Sequence, residues 1–265
     1  MPTLGRGVAV STFDEYADRY DHVAMERRGG VIQLTLHSGG DSLRWGPVPH
    51  DELRQVFRDV GDDRENRVVI LTGAGQEFTG PPCSEEERPL HFRPTPEEWD
   101  HFYWTGKQLQ MNLLNIEVPM IAAVNGPAYR HMELAILCDI VLAAEHAVFV
   151  DSAHFEPGGL VPGDGVNVAC MLTMGINRAR YFHLTGQALS AREAKDFGLV
   201  NEVLAAEALL PRAWALAEQM ARKPILQLRY SRVILTQHIK KQMQELVGYG
   251  LALEGLCISD PSSPF

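Results

Sequence analysis

The chain reads as an α/β protein closed by a helical C-terminal region, and three features predict it. Residues 31–72 run strand, helix, strand. Short apolar runs recur up to residue 150, separated by amphipathic stretches. After residue 204 strand signals vanish and helical periodicity takes over. The expected organisation is an N-terminal arm over 1–21, an α/β core over 22–204 and a helical region over 205–265.

Val31 to His37 alternates, with Val31, Gln33 and Thr35 on one side and Ile32, Leu34 and Leu36 on the other, as a strand does. From Asp51 to Val60 the apolar positions Leu53, Val56, Phe57 and Val60 have helical spacing, with His50 or Asp51 near the start. Val68 to Thr72 is an apolar run ended by Gly73, the pattern of a buried strand. Together these form a crossover unit. Gln76 to Thr95, rich in Pro, Gly and Glu, predicts a long loop, and Glu97 to Asn115 a helix. Pro119 precedes a strand over Met120 to Val124, and two more strands are expected at Ile140–Ala143 and Ala147–Val150. Helices follow at 166–175, 177–184 and 191–197. Ser190 stands three residues before Glu193, a capping box, and Gly198 ends the last of these helices. Three C-terminal helices are predicted, at Ala206–Arg222, Pro224–Thr236 and Ile239–Leu256.

Composition excludes several classes. A chain of 265 residues can bury roughly three quarters of its unfolded surface, so it needs no disulfide or metal to fold. A net charge of −10 argues against a nucleic-acid or anionic-membrane surface, and neither partner is expected. The start of the chain has Asp14, Glu15 and Asp18 and no apolar h-region, and no run approaches a membrane span. Cys83, Cys138, Cys170 and Cys257 are widely spaced, which fits a reduced, cytoplasmic compartment. The ten histidines show no pair on one helix face with a carboxylate at metal spacing, so no metal is expected. Gly158-Gly159-Leu160-Val161-Pro162-Gly163-Asp164-Gly165 lacks the Lys-Ser/Thr of a phosphate loop and reads as turns.

Several motifs stand out. Val68 to Gly73 precedes a loop, and Glu117-Val118-Pro119-Met120-Ile121-Ala122-Ala123-Val124-Asn125-Gly126 runs into Glu133-Leu134-Ala135. Leu184-Thr185-Gly186, Ala194, Gly198-Leu199-Val200 and Val203 form a third block. The set resembles the crotonase (enoyl-CoA hydratase/isomerase) superfamily over residues 22–257. That resemblance implies a spiral of β-β-α repeats, two stacked sheets ringed by helices, with C-terminal helices that assemble a homotrimer or a dimer of trimers. The chain departs from the family where chemistry resides. Arg130 and His131 replace glycines, one of whose N–H groups binds a thioester oxyanion in relatives. The stretch Phe149-Val150-Asp151-Ser152-Ala153-His154-Phe155 stands where hydratases carry a catalytic Glu.

The departures are similar to the β-diketone hydrolase branch, which cleaves a carbon–carbon bond without coenzyme A or other cofactor. Ser42-Leu43-x-Trp45, His50-Asp51-Glu52-Leu53, His154-Phe155, Val161-Pro162-Gly163-Asp164-Gly165 and Gly250-Leu251-Ala252-x-Glu254 carry that likeness. It implies His154, Asp164, His131 and Glu254 as catalytic residues and Trp45 and His131 as substrate-binding residues. In the expected dyad, Asp164 accepts the imidazole N–H and His154 activates water; the ordinary alternative makes Asp164 a helix cap and His154 a loop residue. His131, expected in the first turn of a helix, would hold a carbonyl oxygen and then an enolate; its alternative is a satisfied buried histidine. An indole N–H from Trp45 could do the same, or the ring could be plain core. Glu254 divides evenly between the site and a solvated helix face, and Glu133, the acid/base Glu of hydratases, takes a secondary role. The implied activity is retro-Claisen hydrolysis of a small-molecule β-diketone to a keto acid. The competing readings are an acyl-CoA hydratase or isomerase and a catalytically silent oligomeric relative.

Overall fold

A computed structural model describes residues 12–82, 94–155 and 159–260. The expected loop over 76–95 and glycine segment over 158–165 lie partly outside these, as do Cys83, Pro157 and Gly158. After a single helical turn, α1 (Phe13–Tyr16), come β1 (Val23–Arg28), β2 (Val31–Leu36), α2 (Pro47–Asp62), β3 (Val68–Gly73), α3 (Pro96–Asn115) and β4 (Met120–Val124). Then follow α4 (Glu133–Ile136), β5 (Ile140–Ala144), β6 (Val148–Phe149), α5 (Val166–Met174), α6 (Ile176–Thr185), β7 (Leu189–Ser190), α7 (Ala191–Asp196), β8 (Glu202–Leu204), α8 (Ala206–Ala221) and α9 (Ile225–Ile258).

Six strands form one sheet in the order β1-β2-β3-β4-β5-β8. All neighbours are parallel except β1 and β2, an antiparallel pair turned by Gly29 and Gly30 at φ 57° and 80°. The central strands are apolar throughout because both faces are covered. Val31, Val68, Ile70, Ile121, Ala123 and Leu142 pack under α8 through Leu209, Ala213, Trp214 and Ala217. Their alternates Ile32, Leu34, Val69, Leu71, Ala122 and Val124 meet Leu53, Val56 and Phe57 of α2 and Leu109 and Leu113 of α3. Two polar residues intrude and are satisfied: Gln33 accepts the Trp214 indole N–H at 2.7 Å and the Thr72 hydroxyl donates to the Ala123 carbonyl at 2.8 Å.

A second, sparser layer crosses above the C-terminal ends of these strands. β6 pairs antiparallel with β7, and bridges continue the line through Ala128↔Phe149, Thr79↔Ala128 and Arg44↔Gly80. Two of these rungs lead into one cavity: Trp45 follows Arg44, and His131 stands three residues after Ala128. Two sheets ringed by helices are the spiral fold that the resemblance implied.

Two expectations need correction. The C-terminal region has two helices, since α9 runs unbroken for 34 residues. Nothing between Thr236 and Ile239 is Pro or Gly, and the Thr236 hydroxyl is satisfied by the Arg232 carbonyl at 2.7 Å, so the ladder continues. Nor does His131 lie in a helical turn. It precedes α4 with φ 50°, in the left-handed region. Among the described residues, no helix is long and apolar enough to cross a membrane.

Candidate active site

A cavity of about 250 Å³ lies between the second layer, α2, α3, the segment before α5 and α9. Trp45, His131, His154, Asp164 and Glu254, the five residues singled out from sequence, all line it, together with His50, Phe102, Leu160 and Leu251. A larger hollow of about 430 Å³, between α3 and α9 at Trp99, Tyr103 and Leu256, contains no histidine.

His154 is buried on a turn whose next residue, Phe155, has φ 40°. Its Nδ1 lies 2.6 Å from Asp151 Oδ1. Its Nε2 lies 3.9 Å from both Asp164 Oδ2 and Glu254 Oε1, which is beyond direct hydrogen bonding but open to a bridging water. The expected His154–Asp164 hydrogen bond is thus replaced by one to Asp151, three residues before His154 in the chain. Asp164 instead accepts the N–H of Val166, the first residue of α5, at 3.1 Å, although the N-cap itself is Gly165, while its other oxygen faces both imidazoles. Burial opposes charge on His154, but Asp151 and Asp164 outweigh it and raise its pKa well above 6.5. Burial also opposes charge on Asp151, yet His154 and His183 hold its pKa below the ordinary carboxylate range.

Glu254 is delivered by an unusually close helix approach. A Cβ on Gly250 would stand 2.2 Å from the Gly163 carbonyl oxygen, and one on Gly163 would stand 2.3 Å from that of Gly250. Only two glycines allow this backbone contact. One helical turn beyond Gly250, Glu254 therefore meets Asp164 and His154. It is buried, which raises its pKa. Its Oε2 has no hydrogen-bond partner among the described residues.

Across the cavity, His131 stacks on Trp45 with ring centroids 4.0 Å apart. His131 Nδ1 is 2.6 Å from Glu133 Oε1 and 3.5 Å from Asp164 Oδ2. Gln110 Nε2 donates to the same Glu133 oxygen at 3.2 Å. Burial opposes protonation of His131, but Glu133 and Asp164 raise its pKa. Glu133 is fully buried, which raises its own pKa against the pull of His131. The left-handed backbone at His131 aims the ring at Trp45; strain of this kind concentrates at functional positions.

His50, to which sequence reasoning assigns no role, also lines the cavity. It stacks on Phe102 at 5.2 Å and lies edge-on to Trp45 at 6.0 Å. Burial and His131 lower its pKa to about 3, so it stays neutral. Asp151 was missed as well, although its i, i+3 spacing from His154 was a usable signal. His131, Glu133 and Asp164 each bring one ligand atom within 4.8 Å of the others, a grouping that could hold a cation. The Glu133 contact is already a hydrogen bond, and it accounts for the cluster without an ion.

The arrangement can do base chemistry at one end, where an imidazole is backed by a carboxylate. At the other end it can bind an oxyanion, through His131 and the Trp45 indole. Comparisons with known proteins agree on the ancestry. The enoyl-CoA hydratase/isomerase family profile matches residues 26–253. The mitochondrial enoyl-CoA hydratase of Pongo abelii is 32% identical over 213 residues, 76% of this chain and 68% of that protein. The 2,3-dehydroadipyl-CoA hydratase of Escherichia coli is 35% identical over 231 residues, 87% and 86% of the two chains. Among solved structures, a β-diketone hydrolase from the cyanobacterium Anabaena, bound to (S)-3-oxocyclohexyl acetic acid, is 42% identical. It superposes with a TM-score of 0.88, covering 93% of this chain and 97% of that one. The chain belongs to the enoyl-CoA hydratase/isomerase (crotonase) family, and a β-diketone hydrolase is among its structural relatives.

Proposed function

We propose that this chain hydrolyses the carbon–carbon bond between the two carbonyls of a β-diketone, with cyclic diketones as the substrate class and no coenzyme A. One observation carries the reading: an imidazole backed by a buried carboxylate faces, across a small cavity with apolar walls, a second imidazole and an indole. The relative with 42% identity is itself a β-diketone hydrolase. The cavity is smaller than the ~300–1,000 Å³ of sites for drug-sized ligands, which suits a small ring.

In this mechanism neutral His154 takes a proton from water through Nε2, and the hydroxide adds to one carbonyl carbon. The tetrahedral adduct collapses, the bond to the central carbon breaks, and its electrons move to the second carbonyl as an enolate. His131 and the Trp45 N–H hold the enolate oxygen. A proton returned to the central carbon completes the keto acid. Asp151 fixes the tautomer of His154. Asp164 and Glu254, each 3.9 Å from Nε2, stabilise the imidazolium once it forms and leave room for the attacking water between them and Nε2.

The hydratase alternative draws less support. Glu133, which would do acid/base work there, is fully buried and tied to His131 and Gln110. The segment that would supply an oxyanion N–H, Phe78-Thr79-Gly80-Pro81-Pro82, ends in two prolines with none to give. Self-assembly as a homotrimer or dimer of trimers belongs to the same proposal. Tyr230, Ile234 and Leu235 of α9 are exposed in the monomer, at 58, 74 and 75%. The test of function is a panel of cyclic and linear β-diketones followed by loss of enol absorbance, with crotonyl-CoA hydration run in parallel. Turnover of diketone without hydration of the thioester is expected; the reverse result removes the proposal.

A further inference from the structure

Behind His154 stands a third imidazole that the reaction as described does not use. His183 sits in the last turn of α6, buried at 7% exposure. Its Nδ1 lies 3.0 Å from Asp151 Oδ2, while Asp151 Oδ1 takes His154 Nδ1 at 2.6 Å. The carboxylate therefore bridges two imidazoles, one per oxygen. His183 Nε2 is buried and has no partner among the described residues. Phe182 stands edge-on to the ring, at 5.1 Å between centroids.

From this geometry we infer that His183 is a positioning residue for the hydrolytic base: it clamps Asp151 so that His154 carries its proton on Nδ1 and presents the Nε2 lone pair to the cavity. The inference rests on the hydrolase reading above for its kinetic consequences. An ionised carboxylate only accepts hydrogen bonds, so each Nδ1 it meets must bear a proton. That condition fixes both tautomers. Without the His183 bond, Asp151 Oδ2 loses its partner in a buried place, and the side chain is free to rotate about its χ angles. His154 would then lose the acceptor that selects its tautomer. The groups facing His154 are Asp151, Asp164, Glu254 and, more distantly, His131. Those facing Asp151 are the two histidines and, from α5, the buried Cys170 thiol.

Two variants separate positioning from packing. His183→Leu keeps an apolar body but removes the N–H. His183→Asn keeps an amide N–H near the place of Nδ1. Nitrogen-15 spectra of histidine-labelled protein report the His154 tautomer directly, and kinetics on a cyclic β-diketone report its use. In His183→Leu, kcat should fall roughly ten- to a hundredfold, the scale of one charge-assisted hydrogen bond, with KM little changed. The His154 spectrum should then show mixed tautomers, and the acid limb of the pH profile should move. His183→Asn should restore the Nδ1–H tautomer and most of kcat. Unchanged His154 spectra in both variants would overturn the clamp, as would equal loss in both with the tautomer intact. If the wild-type protein cleaves no diketone, the proposed function fails by itself. The spectra of the two variants still decide whether the clamp exists.

Discussion

Replacing Asp151 with Asn tests what makes His154 a base. The substitution removes one negative charge and keeps the size of the side chain. In the native site Asp151 Oδ1 meets His154 Nδ1 at 2.6 Å, with both groups buried. A hydrogen bond to an ionised partner contributes about 1.5–3 kcal/mol net, or roughly ten- to a hundredfold in rate if it strengthens as the imidazolium forms. A second loss adds to the first. The new amide can donate an N–H to Nδ1, which moves the ring proton to Nε2 and takes the lone pair away from the cavity. In serine proteases that tautomer error costs about 10⁴-fold. The expected fall in kcat/KM is therefore on the order of 10²–10⁴-fold. Asp164→Asn removes charge 3.9 Å from Nε2 but leaves the tautomer alone, so it should slow the reaction less. The assay is diketone consumption by both variants, with melting temperature and circular dichroism to establish that each is folded. A well-folded Asp151→Asn protein within about threefold of wild type, under ~0.7 kcal/mol, would refute the reasoning.

Other consequences follow from the same geometry. His154, though buried, has a folded pKa raised well above 6.5 by Asp151 and Asp164, so its base form accumulates at higher pH than that of an ordinary imidazole. The acid limb of kcat/KM should lie above 6.5 and shift downward in Asp151→Asn; a limb below 6.5 in the wild type would exclude His154 as the base. By linkage, a raised folded pKa stabilises the protein below the unfolded value, and that stabilisation is lost as pH rises through the folded one. Melting temperature should therefore drop on the alkaline side of 6.5, and drop less in His154→Gln, as calorimetry would show. His131→Ala should cost about 3 kcal/mol of transition-state stabilisation; a lower melting temperature with unchanged kinetics would make it a packing residue. Gly250→Ala puts a Cβ 2.2 Å from the Gly163 carbonyl. It should destabilise by about 1–3 kcal/mol and slow turnover by displacing Glu254; wild-type stability and kinetics would show that the glycine contact does not place that residue.

How much of this was legible beforehand depended on what each segment's neighbours demand. β3 and β4 are covered on both faces, so their apolar runs declared them. β1 escaped notice because Glu26, Arg27 and Arg28 share a short edge strand with few apolar residues, although the Gly29-Gly30 turn was a signal. The gap expected between the last two helices rested on a weak stretch, Gln237-His238, that tertiary packing and Thr236 carried through. The five candidate residues come from motifs, and all five line one cavity. Which carboxylate reaches Nδ1 was not legible. That depends on the turn around Phe155, where the backbone enters the left-handed region. The position of Glu254 was equally hidden, because it follows from two glycines far apart in the chain touching backbone to backbone.

The central claim is hydrolysis of a carbon–carbon bond by water activated at His154. Its most direct test is turnover of a cyclic β-diketone in water labelled with heavy oxygen, with products read by mass spectrometry. The mechanism predicts an open-chain keto acid carrying one heavy oxygen in the new carboxylate, formed by the wild-type protein and not by His154→Gln. Recovery of unreacted diketone from every ring size tried, alongside hydration of crotonyl-CoA, would contradict it.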